Sequence, residues 1–327
     1  MSIDWPRFVE IIRRHQRFLL TSHVRPDCDA LGSELGMAGI LDALGKKVHI
    51  VNAHAAPERF DFLDPQRRIR VLGKDLTDKE LPEFDLLMVL DTSAWIQLGE
   101  MAEVLRGTQA TKVVLDHHVS EDELGAESFK DPRAEATGRL VAEAAEQLGV
   151  KLTPPIATAI FAAQATDTGW YRFNSTTGVS LRVAAKLVDA GAVPADIYRH
   201  LYEQSTLPRL HLTGRILTRT DSDLSGRLVY TYVEDQDFAS TGALRSDTED
   251  IINMTLAVGG SEVAVIFVEQ HDGKVKVSFR SRGVIDVSRV AESFGGGGHK
   301  AAAGALISAP LRDVMRRVLD ATRAAMQ

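Results

Sequence analysis

Carboxylates and imidazoles recur in this chain at the ends of apolar runs, where a sheet can gather them for metal chemistry. Phe18-Leu19-Leu20 leads into His23-x-x-Pro26-Asp27-x-Asp29-Ala30, Leu86-Leu87-Met88-Val89-Leu90 ends on Asp91-Thr92, and Val113-Val114-Leu115 ends on Asp116-His117-His118. A single Asp after a strand is ordinarily a helix cap or a turn residue. Recurrence at three successive strand ends points instead to one shared site. With Asp167, the set His23, Asp27, Asp29, Asp91 and His117 supplies carboxylates and imidazoles without a thiolate, and Asp27 and Asp29 are expected in a loop. Such ligands suit divalent ions of the manganese or magnesium kind better than a structural zinc. Carboxylates shared by two ions stabilise both the attacking and the leaving oxygen in phosphoryl hydrolysis, so a phosphate ester is the expected substrate.

Positioning those residues requires strands that end together. Residues 4–16 read as a helix burying Phe8, Ile11 and Ile12. A strand over 18–23, a helix from Ser33 to Leu44 stopped by Gly45, and a strand over 48–51 make a βαβ unit. Strands at 85–91 and 112–117 and helices near 135–148, 155–166 and 178–190 complete an α/β fold, a mainly parallel sheet with helices on both faces. In open sheets of this kind ligands bind outside the carboxyl ends of the strands. The pattern changes after residue 192. Residues 193–220 read as a helical connector, and 221–327 as a smaller mixed α/β domain with strands at 228–233, 262–269 and 274–281. His271-Asp272-Gly273 is the turn between the last two, and Ser246-x-x-Glu249 reads as a capping box.

The 327 residues suffice for two cores, and the balance of 44% hydrophobic and 25% charged residues is that of an ordinary soluble protein. A net charge of -7 argues against coating long nucleic acid, which needs many cationic contacts to phosphate. Small anionic substrates stay compatible. One cysteine, Cys28, excludes an internal disulfide and any multi-cysteine zinc site. No run reaches transmembrane length, and the apolar stretch after Arg13-Arg14 is too short for an export signal, so a cytoplasmic protein without a membrane partner is expected. His15, His49, His54, His200, His211 and His271 lack neighbouring ligand patterns and read as surface or packing residues.

His23-x-x-Pro26-Asp27-x-Asp29-Ala30-x-Gly32-Ser33, Asp91-Thr92, Asp116-His117-His118 and Asp167-Thr168-Gly169 resemble the four successive motifs of the DHH phosphoesterase family. The resemblance implies two manganese ions. His23 and Asp27 would hold one, Asp29, His117 and Asp167 the other, with Asp91 bridging and water activated between the cations for in-line attack. His118 would face the substrate, and Asp116 would orient the imidazoles from behind. Cys28 occupies a loose position of the first motif and reads as a small packing residue.

Phe294-Gly295-Gly296-Gly297-Gly298-His299 is a second signal, since glycines let backbone N–H groups approach an anion. Arg280-Ser281-Arg282 adds a cationic fork suited to phosphate. Together they resemble the DHH-associated C-terminal domain, which implies substrate binding by Arg280, Ser281, Arg282, Gly295, Gly296, Gly297, Gly298 and His299. Order, spacing and length resemble the stand-alone nanoRNase and 3′-phosphoadenosine-5′-phosphate (pAp) phosphatase subgroup. Short oligoribonucleotides and small phosphorylated nucleotides are then the expected partners. A soluble phosphodiesterase for cyclic di-AMP or pApA is the alternative, a non-catalytic nucleotide-binding regulator ranks lower, and a homodimer is compatible with either.

Overall fold

Apolar runs too uniform for a one-sided sheet and too short for independent helices become strands buried on both faces. In the computed structural model, residues 3–248 and 251–327 are described. The chain divides into two units, Met1–Gln204 and Ser205–Gln327. The first unit runs α1 (Trp5–Arg14), β1 (Arg17–Thr21), α2 (Cys28–Ala43), β2 (Lys47–Asn52), β3 (Ile69–Val71), β4 (Leu86–Leu90), α3 (Met101–Gly107), β5 (Thr111–Asp116), β6 (Glu127–Lys130), α4 (Thr137–Leu148), α5 (Pro154–Asp167), α6 (Gly178–Asp189) and α7 (Pro194–Tyr202). All six strands are parallel, in the order β3-β2-β1-β4-β5-β6. The order reverses between β1 and β4, the position where a doubly wound sheet opens a crevice for ligands.

Alternate residues of the central strands feed two cores. Leu20, Met88, Leu90, Val113 and Leu115 pack under residues of α2, α4 and α5, while Leu19, Leu87, Val89 and Val114 meet Met101 and Leu105 of α3 on the other face. Each fully buried aliphatic side chain contributes roughly 1.5–3 kcal/mol. The α2 helix starts at Cys28, earlier than the sequence pattern suggests, because the Asp27 carboxylate caps it by accepting from the Asp29 and Ala30 N–H groups. Asp27 and Asp29 therefore sit on a helix N-terminus, which corrects their expected place in a loop. Antiparallel to α2, α5 approaches so closely that a Cβ on Gly32 would lie 2.4 Å from the Ala159 carbonyl oxygen and one on Gly36 2.6 Å from Ile160. The contact sets the start of α2 beside the end of α5.

The second unit comprises α8 (Leu207–Thr218), β7 (Asp221–Asp223), β8 (Leu228–Val233), α9 (Asp235–Thr241), α10 (Ile251–Leu256), β9 (Val263–Glu269), β10 (Val275–Ser281), α11 (Val287–Glu292), β11 (Gly297–His299), β12 (Ala302–Ile307) and α12 (Leu311–Ala325). Its mixed sheet runs β11-β12-β10-β9-β8-β7. Leu228, Val265, Phe267, Val277 and Phe279 pack against α11 and α12; Val233, Ala264, Ile266 and Val268 on the opposite face pack with Leu212 and Ile216 of α8 and with Ile251 and Ile252. The segment 193–220 is two helices, α7 in the first unit and α8 in the second. The Ser246-x-x-Glu249 capping box lies outside the described residues, because Glu249 does. Among the described residues no helix is long and apolar enough to cross a membrane.

Candidate active site

Three strand ends and two helix ends converge at the carboxyl edge of the parallel sheet. His23 follows β1, Asp91 follows β4, and Asp116, His117 and His118 end or follow β5, while Asp27 and Asp29 open α2 and Asp167 closes α5. The two oxygens of Asp91 diverge: Oδ2 lies 3.5 Å from His23 Nε2, and Oδ1 lies 3.5 Å from His117 Nε2. Asp27 stands 3.8 Å from the first imidazole. Asp29 and Asp167 stand 3.8 and 3.6 Å from the second. The sets His23–Asp27–Asp91 and Asp29–His117–Asp167 each bring ligand atoms close enough together to hold a metal ion, and Asp91–His117–His118 forms a third such set. A cavity of about 690 Å³ opens over them, with His118, Thr92 and Arg25 also in its wall.

The donor chemistry fits divalent cations. His23 Nδ1 donates to the Val24 carbonyl at 2.9 Å and His117 Nδ1 to that of Ala134 at 3.2 Å, leaving both Nε2 lone pairs for a metal. Asp29 is buried, and the first N–H groups of α4 hold it: Thr137 and Gly138 each donate at 2.8 Å, and the Thr137 hydroxyl reaches Asp91 at 2.8 Å. Burial, reinforced by repulsion from Asp91, Asp167 and Asp27, pushes the Asp29 carboxyl well up. Asp167 rises to about 6, chiefly through burial and with Asp91 and Asp27 adding to it. Burial alone would lower the His23 imidazolium, yet its bonds to Asp27 and Asp91 outweigh that and hold it up at about 11. Crowded carboxylates of this kind favour occupancy by cations.

The backbone is strained around the same atoms. Arg25, Asp91, Trp170 and Tyr171 hold positive φ of 54°, 62°, 61° and 61°. Such conformations are costly for residues with side chains, and they persist where the surrounding structure fixes a functional position.

Behind the imidazoles, Asp116 accepts from His118 Nδ1 at 2.8 Å and from the Ser93 hydroxyl at 2.7 Å. Lys130, at the end of β6, places its ammonium 3.2 Å from the same carboxylate. Burial would raise the Asp116 carboxyl, but its bonds to His118 and Ser93 outweigh it and keep it low. His118 is therefore committed through Nδ1 to Asp116, while its half-exposed ring reaches the cavity. Lys130, Ser93, Thr137 and Gly138 escape a motif-based reading. The small residues Ala136-Thr137-Gly138 at the start of a helix were the available signal, since such a terminus attracts anions.

In the second unit the β10, β12 and β11 strands place Arg280, Ala302 and His299 on one cross-strand row, hence on one face. Ala302 stands between Arg280 and His299 in that row, and the neighbouring row on the same face is Ser278, Gly304 and Gly297, so a shelf nearly free of side chains borders the two side chains. The glycines divide by role. Gly296 and Gly298 allow close approach of the β12 backbone, with a Cβ landing 2.1 and 2.6 Å from the carbonyl oxygens of Gly304 and Ala302, and Gly295 has φ 74° after α11. Gly297 alone of the four combines a φ outside the left-handed region with open space where a Cβ would sit. Arg282 differs from Arg280: Nε and one terminal nitrogen donate to the Ser261 and Leu256 carbonyls at 2.9 and 2.8 Å, which ties down the end of α10. Ser281 is buried, and its hydroxyl accepts from the Gly283 N–H.

The first unit is an α/β protein whose doubly wound sheet gathers, at its switch point, oxygen and nitrogen donors that could hold metal ions. Residues 17–164 match the DHH family, N-terminal domain, and residues 225–327 the DHHA1 domain. The bifunctional oligoribonuclease and PAP phosphatase NrnA of Thermus thermophilus is 34% identical over 311 residues, 93% of this chain and 88% of the relative. The protein of the same name from Bacillus subtilis is 27% identical over 302 residues, 91% of this chain and 92% of the relative. An exopolyphosphatase-related protein from Bacteroides fragilis shares the fold at a TM-score of 0.85 and 24% identity, covering 98% of this chain and 95% of that one. The chain belongs to the DHH family of phosphoesterases.

Proposed function

We propose that this protein is a cytoplasmic nanoRNase and pAp phosphatase that hydrolyses very short oligoribonucleotides to mononucleotides and removes a phosphate from pAp. The observation that carries this reading is the divergent Asp91 carboxylate between two imidazoles, each backed by further carboxylates, in a chain aligned along most of its length with relatives named for those activities. His23 and Asp27 would hold one divalent ion and Asp29, His117 and Asp167 the other, with Asp91 shared. Manganese is the proposed metal. Such ions supply charge stabilisation at the phosphoryl group and lower the pKa of water.

The protein's own residues do the remaining work. Asp116, fixed by Ser93 and Lys130, holds the His118 ring with Nε2 free for a substrate oxygen. On the second unit, Arg280 and His299 would grip a phosphate over Ala302 and the bare floor of Gly304 and Gly297 beside it. Arg282 and Ser281 support that shelf through their backbone hydrogen bonds. A net charge of -7 disfavours long strands.

Side-by-side turnover of pAp, RNA dinucleotides, pApA, cyclic di-AMP and a long single strand, with Mn²⁺ and then Mg²⁺, tests the reading. Fast release of mononucleotide and of phosphate from the first two is expected. Faster turnover of cyclic di-AMP or pApA would replace it with the phosphodiesterase alternative. Binding of nucleotides without turnover of any substrate would leave a regulator.

A further inference from the structure

A second cavity adjoins the metal site within the first unit, and its chemistry is different. Its volume of about 250 Å³ lies below the range that takes a whole drug-sized ligand and suits a single ring system. Asp27 and Asp167 wall the end nearest the metals; Arg59, Phe60, Leu201 and Tyr202 wall the rest. The Cys28 thiol beside it is pushed up to about 12 by burial and stays neutral. The Arg59 guanidinium lies over the Phe60 ring, 4.8 Å from its centroid, and no carboxylate pairs with it among the described residues.

Tyr202 is the exposed aromatic surface of this cavity, 48% accessible yet held in place. Trp170 meets it edge-on at 5.8 Å, and Tyr198 lies against it at 4.9 Å. Trp170 has φ 61° and follows Asp167-Thr168-Gly169 directly, so the strained turn that leaves a metal-site carboxylate also buttresses the tyrosine. An accessible, braced aromatic ring beside a free guanidinium recognises a flat, electron-rich ring by stacking and by cation–π attraction. A lone phosphate would gain little here, since Arg59, the one cationic side chain among the described residues of the wall, shares the cavity with two carboxylates.

We propose that this cavity receives the nucleobase of the nucleotide whose phosphate reaches the metal site, with Tyr202 as stacking surface and Arg59 as its cationic cover. The assignment rests on the reading of the protein as a nucleotide phosphoesterase. It gives the catalytic unit a base subsite of its own, separate from the Arg280–His299 shelf.

Titration calorimetry with Mn²⁺ present, using AMP and ribose 5-phosphate, isolates the base from the phosphate. The wild type should bind AMP about tenfold more tightly than ribose 5-phosphate, the scale of one base–aromatic stack. Tyr202→Ala and Arg59→Ala should each erode that preference while leaving ribose 5-phosphate affinity unchanged, which also reports an intact fold; Tyr202→Phe should restore it. Equal affinity for the two ligands in the wild type, or a preference that survives both alanine variants, overturns the assignment. Hydrolysis assayed on the same preparations keeps the two questions apart: an AMP preference lost in Tyr202→Ala, in a protein that cleaves neither dinucleotides nor pAp, supports the base subsite and refutes the reaction.

Discussion

Asp91 combines a left-handed backbone, φ 62°, with a carboxylate aimed at two imidazoles. Asn tolerates that backbone and can keep the bond to the Thr137 hydroxyl, so Asp91→Asn tests charge alone. Its removal relieves repulsion on Asp29, and the metal-free variant should melt above the metal-free wild type. With Mn²⁺ the order should invert, metal content by mass spectrometry should fall, and turnover should drop by more than about 100-fold, the upper end for a mere outer-shell change. Glu34 offers a pH test at a carboxyl that is not itself a proposed ligand but feels the charges of His23 and Asp91. It is fully buried, accepts from Asn52 at 2.9 Å through one oxygen, and finds no partner among the described residues for the other. Burial pushes its carboxyl from 4.5 up to about 7. The unfolded chain therefore loses this proton first, and the group's contribution to stability falls as pH climbs from 4.5 to about 7, then levels off. Glu34→Gln removes that slope. Measured by urea denaturation, its stability relative to wild type should be more favourable at pH 8 than at pH 4 by up to about 3 kcal/mol.

At the scale of elements, the contact between α2 and α5 sets the separation of Asp29 from Asp167. Gly32 is where it is tightest, with backbone as the obstacle. Gly32→Ala should push the helices apart, lower stability by about 1–3 kcal/mol, and weaken metal retention. Gly214, inside α8 with nothing within 4 Å of a would-be Cβ, is the control. Gly214→Ala should stabilise by about 0.5–1 kcal/mol and leave metal content alone. Equal outcomes in chemical denaturation would show that helix spacing does not govern the site.

Across the whole molecule, the proposed function gives metal chemistry to the first unit and phosphate recognition to the second, so variants should separate them. His117→Ala should lose metal and nearly all hydrolysis. His299→Ala should retain metal and raise KM by tenfold or more, the effect of losing one charge-assisted hydrogen bond of about 1.5–3 kcal/mol. Arg282→Ala should instead lower stability, because the Ser261 and Leu256 carbonyls lose their donors. Metal analysis, kinetics and denaturation on the three proteins distinguish these outcomes. Metal loss from the His299 variant would remove that residue from the substrate shelf.

The sequence by itself determined the class of fold and picked out residues that could hold metal, because hydrophobic period and ligand type are local properties. The strand over 228–233 coincides with β8, and Val113-Val114-Leu115 lies within β5. It left the edge strands β3 and β6 unread, since three or four residues carry too little pattern, and it placed Asp27 and Asp29 in a loop because capping by Asp27 starts α2 early. Only tertiary structure could divide Arg280 from Arg282, through the carbonyls each can reach, and the four glycines by role, through the approach of β12. It likewise brought Lys130 to Asp116 and Tyr202 to Asp27, pairs far apart in the chain whose proximity depends on how strands and helices pack.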